Sequence, residues 1–350
     1  MNNILDVFNE DAFSVVNLTD GINKLKFVPG RIGEMGLFTP SGVTTTSIAI
    51  EQKENVLVLV PPTPRGGPGT TVEKKQRSML DIRVPHFEIN DAVMAEEVQG
   101  VRAFVPGMVG DTSTAAMVET VENKVYERGA EHSQSMDATS EYSRIGAVKG
   151  IVTYADASTL NLFNTFSVQQ QNEIDFDLDN ATPADGALRK KCAGVIRSMG
   201  TELGKIPFRQ AWAFCGDNFF DDLLAHKEVR ASFLNWTEAQ ILRDGYVGPN
   251  GSSWGIFEFG GIVWENYRGQ VGDTAYVNPD KAHIFPMGAP GLFRTYWAPA
   301  DYVETVNTVG QRLYAKLYVM DNGKGVNYDV QMNELNICTR PRTLIQGKRT

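Results

Sequence analysis

Val43-Thr-Thr-Thr-Ser-Ile-Ala-Ile50 and Val56-Leu-Val-Leu-Val60, followed by Pro61-Pro-Thr-Pro-Arg-Gly-Gly-Pro-Gly69, decide how this chain is read. Both apolar runs are rich in β-branched residues and read as strands. The polar stretch Glu51–Asn55 between them predicts the turn of a hairpin. The Pro/Gly run after it can join neither a helix nor a central strand. From 51 to 77 the basic residues Lys53, Arg65, Lys74, Lys75 and Arg77 stand against Glu51, Glu54 and Glu73, a net of +2. A two-stranded ribbon has too few neighbours to be stable alone. It lies either on its own domain or on another copy.

Upstream, residues 1–30 carry Asp6, Glu10, Asp11 and Asp20 among scattered apolar residues, with no clean helical stripe. That pattern predicts an arm that packs on a neighbour, with a short docked helix as the alternative. Downstream, Asp91-Ala-Val-Met-Ala-Glu-Glu-Val-Gln-Gly100 reads as a short helix, capped by Asp91 and closed by Gly100. Residues 113–144 contain no proline and a thin apolar stripe (Val118, Val121, Val125, Met136, Tyr142), which predicts a long, half-exposed helix. Gly129 marks a bend or break in it. Residues 88–128 hold eight acids and three bases, a net of −5 that complements the positive ribbon.

The second half reads as a folded domain. Ile151–Tyr154 and Leu160–Phe163 form a hairpin, and Glu173–Asp179 alternates as a strand with Ile174, Phe176 and Leu178 on one face. Thr182 and Pro183 begin a helix whose apolar stripe is Leu188, Cys192, Val195, Ile196, Met199 and Leu203, with Gly204 closing it. Ala211–Cys215 is a buried strand, and Asp217 opens a second helix. Leu313–Val319 and Val326–Met332 alternate around Asp321-Asn-Gly-Lys-Gly325, a strong hairpin signal. The tail 340–350 carries +4 and no acid.

Composition bounds the function. The chain has 350 residues, 33 basic and 42 acidic side chains and a net charge of −9. Its length suggests about two domains, and its charge argues against a protein whose main work is gripping phosphate backbones. The start lacks a basic signal-peptide region, and the longest apolar run is far short of a membrane span. A soluble chain made in a reducing cytoplasm is expected, with Cys192, Cys215 and Cys338 as buried hydrophobes.

An active site is poorly supported. Gly251-Ser-Ser253-Trp-Gly255 satisfies G-x-S-x-G, and Asp273 or Asp280 with His283 supplies the hydrolase order. The chemistry needs a strand before the serine and a helix after it, whereas a Gly/Pro loop precedes Ser253 and a strand follows. The acids at 173–179 lack the glycine and the twelfth-position glutamate of a calcium loop. His86, His132, His226 and His283 have no zinc spacing. Gly30, Gly33 and Gly36 form GxxGxxG, which is not a dinucleotide fingerprint. No catalytic residue, cofactor or metal is expected.

The order of parts resembles the major capsid proteins of tailed bacteriophages, specifically the lambda-type capsid protein E family with its HK97 fold. The resemblance covers nearly the whole chain. It is carried by Leu37-Phe38 with Val43-Thr-Thr-Thr and Ile48-Ala-Ile-Glu51, by Leu57-Val-Leu-Val-Pro61 with Arg65-Gly66, and by Arg77 with Val84-Pro-His-Phe87. It continues through Glu97-Val-Gln-Gly-Val-Arg102, Gly146-Ala-Val-Lys-Gly150, Thr153, Asp156, Ser158-Thr-Leu160 and Asn161-Leu-Phe163.

The resemblance implies an α+β fold: an N-arm (1–30), an extended E-loop (31–88), a peripheral domain with a spine helix (89–178), an axial domain (179–300) and returning peripheral strands (301–350). It implies hexamers and pentamers that form an icosahedral head shell enclosing phage DNA, with no membrane role. The shell would be assembled in the host cytoplasm. Portal, scaffold or protease and a decoration protein would be its partners. Lys53, Arg65, Gly66, Lys74, Lys75 and Arg77 would lie on a neighbour's acidic spine at Glu119, Glu122 and Glu127. The tail would touch DNA or an acidic neighbour, preferably the second. Covalent cross-linking between copies is not expected. The alternatives are a serine hydrolase using Ser253 and a different phage structural protein, such as a tail or decoration component.

Overall fold

The computed structural model describes residues 15–24, 30–53, 77–98, 114–204, 206–233, 255–271 and 274–350. In chain order its main elements are α1 (Val15–Lys24), β1 (Thr39–Gly42), β2 (Ser47–Lys53), β3 (Arg77–Arg83), β4 (Phe87–Met94), α2 (Thr114–Lys149), β5 (Ile151–Thr153), β6 (Thr159–Asn161) and β7 (Ile174–Asp175). They continue as α3 (Ala187–Leu203), β8 (Gln210–Cys215), α4 (Asp217–Ala225), α5 (Lys227–Phe233), β9 (Ile256–Phe259), β10 (Ile262–Asn266), β11 (Gln270–Val271) and β12 (Thr274–Ala275). The last are β13 (Lys281–Met287), β14 (Phe293–Trp297), β15 (Tyr314–Val319), β16 (Gly325–Met332), β17 (Glu334–Cys338) and β18 (Ile345–Lys348).

One half is built on a six-stranded mixed sheet in the order β7-β18-β13-β8-β10-β9. Side chains alternate across it, as the strand period of two requires. Ala211, Ala213 and Cys215 of β8 enter a core with Leu188, Cys192, Val195 and Met199 of α3 and Phe219, Phe220 and Leu223 of α4. Phe214, from the same strand, enters a second core with Ile145 and Val148 at the end of α2. Each fully buried Leu or Phe side chain contributes roughly 1.5–3 kcal/mol. The three cysteines are free and buried, and burial pushes the Cys192 and Cys338 thiols up to about 12.

The other half is a three-stranded sheet, β15-β16-β4, covered by α1 and α2. Leu18 and Ile22 of α1 pack with Val125 and Met136 of α2 and with Val93, Tyr328 and Val330 of the sheet. Over 15–24 the N-terminal segment is therefore a docked helix. A third sheet, β1-β14-β17, shares its core with the C-terminal end of α2. The 36 residues of α2 span about 54 Å and touch all three sheets.

Several local expectations are corrected. The ribbon is not closed at Glu51–Asn55: β2 continues through Lys53 and pairs with β3, so that Ser47 faces Arg83 and Lys53 faces Arg77. The helix read at 91–100 is strand over its first four residues. Phe87, Ile89 and Val93 alternate toward the core, β4 pairs with β16 throughout 87–94, and only Ala95–Val98 is helical. The long helix runs unbroken through Gly129, where a Cβ would lie 2.7 Å from the Tyr328 hydroxyl. Gly129 is a close approach rather than a hinge.

Helix α3 starts at Ala187 and not at Pro183, because Glu228 of α5 supplies the cap. Its carboxylate accepts the Leu188 and Arg189 N–H groups at 3.0 and 3.3 Å. The Asn322-Gly323 hairpin forms in the expected register, with Val319 opposite Val326.

Candidate assembly interface

The β2–β3 ribbon has a buried root. Ile48 stands opposite Ile82, both are buried, and both pack with Ile32, Val84 and Ile145. Ile50 and Leu80, the next opposed apolar pair, rest against the same core. The described register ends with Lys53 directly opposite Arg77. Like charges in that position destabilise a strand pair unless an anion lies nearby. Arg65, Gly66, Lys74 and Lys75 lie outside the described residues. Glu119 and Glu122 fall on α2, where Glu127 is exposed and pairs with Lys124 at 3.6 Å.

Two buried carboxylates hold the turn that leads into this ribbon. Glu141 of α2 accepts the Ile32 N–H at 2.7 Å, the Gly33 N–H at 3.3 Å and the Tyr267 hydroxyl at 3.0 Å. Burial pushes its carboxyl above the usual range, against the pull of these donors and of Arg144. Glu265 of β10 pairs with Arg31 at 2.5 Å and accepts the Trp212 indole N–H at 2.9 Å. Gly30 makes the approach feasible, since a Cβ there would sit 2.3 Å from Glu141 Cδ. The segment before the ribbon is thus tied to the long helix and to the six-stranded sheet together. This is the use of Gly30 and Gly33 that GxxGxxG did not disclose.

Several buried polar residues of α2 are also paired across to the sheets. Glu334 accepts from the Ser140 hydroxyl at 2.5 Å, from Asn336 at 2.6 Å and from Trp297 at 2.9 Å, with Arg144 at 3.6 Å. Asp137 pairs with Arg312. Asp91 of β4 meets His132 at 3.0 Å and Arg128 at 3.6 Å, and Arg128 also reaches Glu97 at 3.2 Å. Together these contacts lock the long helix to the sheets on either side of it. The ribbon root joins the same helix through the core shared by Ile48, Ile82 and Ile145.

Known proteins match this architecture from end to end. The family model described as phage major capsid protein E matches residues 14–349. This chain belongs to the phage major capsid protein E family. It is 24% identical to the major capsid protein of Pseudomonas phage KPP10, over 97% of both chains. It is 23% identical to that of Salmonella phage Felix O1, over 96% of both. The structure of an Escherichia coli CFT073 prophage capsid protein superposes with a TM-score of 0.58 at 12% identity, covering 96% of this chain and 99% of that one. The fold is α+β and HK97-like, and the chain is a structural capsid protein rather than an enzyme.

Within this capsid chain the hydrolase reading finds no place. Ser253 and Asp273 lie outside the described residues. Asp280 pairs with Arg349 at 3.0 Å, and His283 is buried on β13 with its imidazole pushed down to about 3 by burial and by Lys149 and Lys281. Among the described residues no cluster of His, Cys, Asp and Glu could hold a metal, and no helix is long and apolar enough to cross a membrane.

The basic tail is also accounted for. Arg342 pairs with Glu202 at 3.0 Å, Lys348 with Asp175 at 3.0 Å and Arg349 with Asp222 at 2.7 Å, while Arg340 donates to the Leu203 carbonyl at 2.9 Å. Within the chain the tail's cations thus already have acidic or carbonyl partners, while Arg342 and Arg349 remain partly exposed.

Proposed function

We propose that the capsid chain closes a head shell by laying its β2–β3 ribbon over the long helix of the next copy. In this reading residues 1–30 are the N-arm and 31–88 the E-loop. Residues 89–178 and 301–350 form the peripheral domain around the α2 spine, and 179–300 the axial domain. Copies associate into hexamers and pentamers, and these close an icosahedral shell around packaged double-stranded DNA, which the shell touches without sequence preference. The portal, a scaffold or maturation protease and a decoration protein are its other partners. Assembly takes place in the host cytoplasm.

The observation that carries the contact is the register of Lys53 against Arg77, the last described pair of an anchored ribbon. Two opposed cations in an isolated ribbon repel, and an acidic surface on a neighbour removes the penalty. Lys53, Arg65, Gly66, Lys74, Lys75 and Arg77 form the donor side of this contact. Glu119, Glu122 and Glu127 of the neighbouring spine form the acceptor side. Removing residues 62–72 tests the reading. The deleted chain stays soluble and folded but forms no closed particles, whereas particles of normal yield and size would refute the E-loop assignment.

A further inference from the structure

We propose that the loop after β14 carries an apolar knob, formed by Val303, Val306 and Val309, that contacts another copy of this chain in the shell. The three valines are 88%, 62% and 62% exposed, and Val303 is the most exposed large apolar residue described. They recur every third residue along successive i→i+3 turns, in which Thr305 N–H bonds Tyr302, Val306 N–H bonds Val303 and Thr308 N–H bonds Thr305. That period places Val303 and Val306 on one side. Val309 follows three residues later, with its Cγ1 2.6 Å from where a Cβ on Gly42 would lie.

The knob is held rigidly. The Thr305 hydroxyl donates to the Ala300 carbonyl at 2.8 Å, and the Thr308 hydroxyl to the Thr305 carbonyl at 2.7 Å. The Gly310 N–H bonds the Val43 carbonyl at 2.8 Å, and Gly310 fits there because a Cβ would fall 2.0 Å from the Trp297 carbonyl oxygen. Tyr302 and Thr305 point inward and are buried. The loop therefore keeps three valines in water on a backbone held by its own hydrogen bonds, an arrangement with little ordering cost on docking.

Two features identify the occupant as a second copy. Charge is the first. Each chain carries −9, so copies repel except where surfaces are neutral or complementary. Here the acid beside the valines is cancelled locally, although Asp301 at the start of the loop is exposed: Glu304 binds Lys316 at 3.0 and 3.2 Å, and Lys316 lies 5.0 Å from the centre of the Tyr302 ring. Area is the second. Three valines offer a few hundred Å², well short of the roughly 800 Å² per partner of a stable pair. A contact of that size is too weak to form a dimer in solution. It becomes effective when copies are already held side by side and the contact is repeated around a closed assembly.

This inference rests on the shell-forming role, and its test separates the two. p-Benzoylphenylalanine in place of Val303 is irradiated in assembled particles and in free subunits. The expected product in particles has twice the mass of the chain, with at least a ten-fold lower yield in free subunits. A product joined to a different protein, a cross-link within one chain, or no cross-link in intact particles would overturn the knob contact. Failure of the chain to form particles at all would instead count against the shell-forming role. In parallel, V303S/V306S/V309S should melt as the wild type does, because the valines are exposed, yet give about ten-fold fewer closed particles. Unchanged particle yield and heat resistance in this variant would likewise refute the contact.

Discussion

Lys53 stands directly opposite Arg77 in the antiparallel register of β2 and β3. Charge reversal at one of the two separates ribbon stability from assembly. Arg77→Glu creates a Lys–Glu cross-strand pair, which favours the isolated ribbon by roughly 0.2–1 kcal/mol. The same change removes a cation from the proposed contact with a neighbour's acidic helix. Thermal unfolding of the subunit should be unchanged or slightly higher, while particle yield falls at least about ten-fold. A loss of both together would point to misfolding rather than to a lost contact.

Glu141 has three donors converging on it, so the clamp depends on its being an acceptor at both oxygens. Glu141→Gln turns one oxygen into an NH₂ group facing an N–H or hydroxyl donor. A loss of about 1–3 kcal/mol in urea unfolding is expected. Gly30→Ala should cost a similar amount by forcing a methyl against the Glu141 side chain.

Gly129 offers a cleaner test of close approach. Gly129→Ala improves helix propensity by about 1 kcal/mol. It nevertheless should destabilise the chain, because the new methyl meets the buried Tyr328 hydroxyl at 2.7 Å. In a Tyr328→Phe background the same substitution should become neutral or stabilising. The comparison is a four-member melting series, and a destabilisation of equal size in both backgrounds would refute the steric account.

His283 sets a pH dependence. Its pKa is lowered to about 3, so between that value and 6.5 the unfolded chain binds a proton that the folded chain does not. The associated stability is complete above pH 6.5 and is lost as pH falls toward 3. Each pH unit in that window costs up to about 1.4 kcal/mol. Urea unfolding of subunits at pH 7.5, 6 and 5 should show this decline in the wild type and a shallower one in His283→Gln. Identical slopes would show that another group controls acid sensitivity.

What could be read from the sequence depended on how local the determining interaction is. The α3 stripe of Leu188, Cys192, Val195 and Met199 carries its own period, and Asn322-Gly323 carries its own turn, so both were legible. The partner of β2 was not: Val56–Val60 and Arg77–Arg83 are both plausible strands, and which one pairs depends on the core under Ile48 and Ile82. Asp91 looked like a helix cap because its roles, bonding Ala92 and receiving His132 and Arg128, come from 1 and about 40 residues away.

The long helix looked half-exposed for a related reason. Ser133, Asp137, Ser140, Glu141, Ser143 and Arg144 are buried, and their partners include residues as distant in sequence as Ile32, Arg312 and Glu334. Polar residues recurring every three to four positions have the same pattern whether they face water or a polar interface. The candidate contact was visible as a local charge bias, whereas the clamp at Glu141 and Glu265 becomes apparent only in three dimensions.

Electron microscopy of particles assembled from this chain tests the central claim most directly. The account predicts closed icosahedral shells of hexamers and pentamers, with each β2–β3 ribbon crossing the α2 helix of an adjacent copy. Tubes, free trimers, or shells in which the ribbon folds back over its own subunit would contradict it.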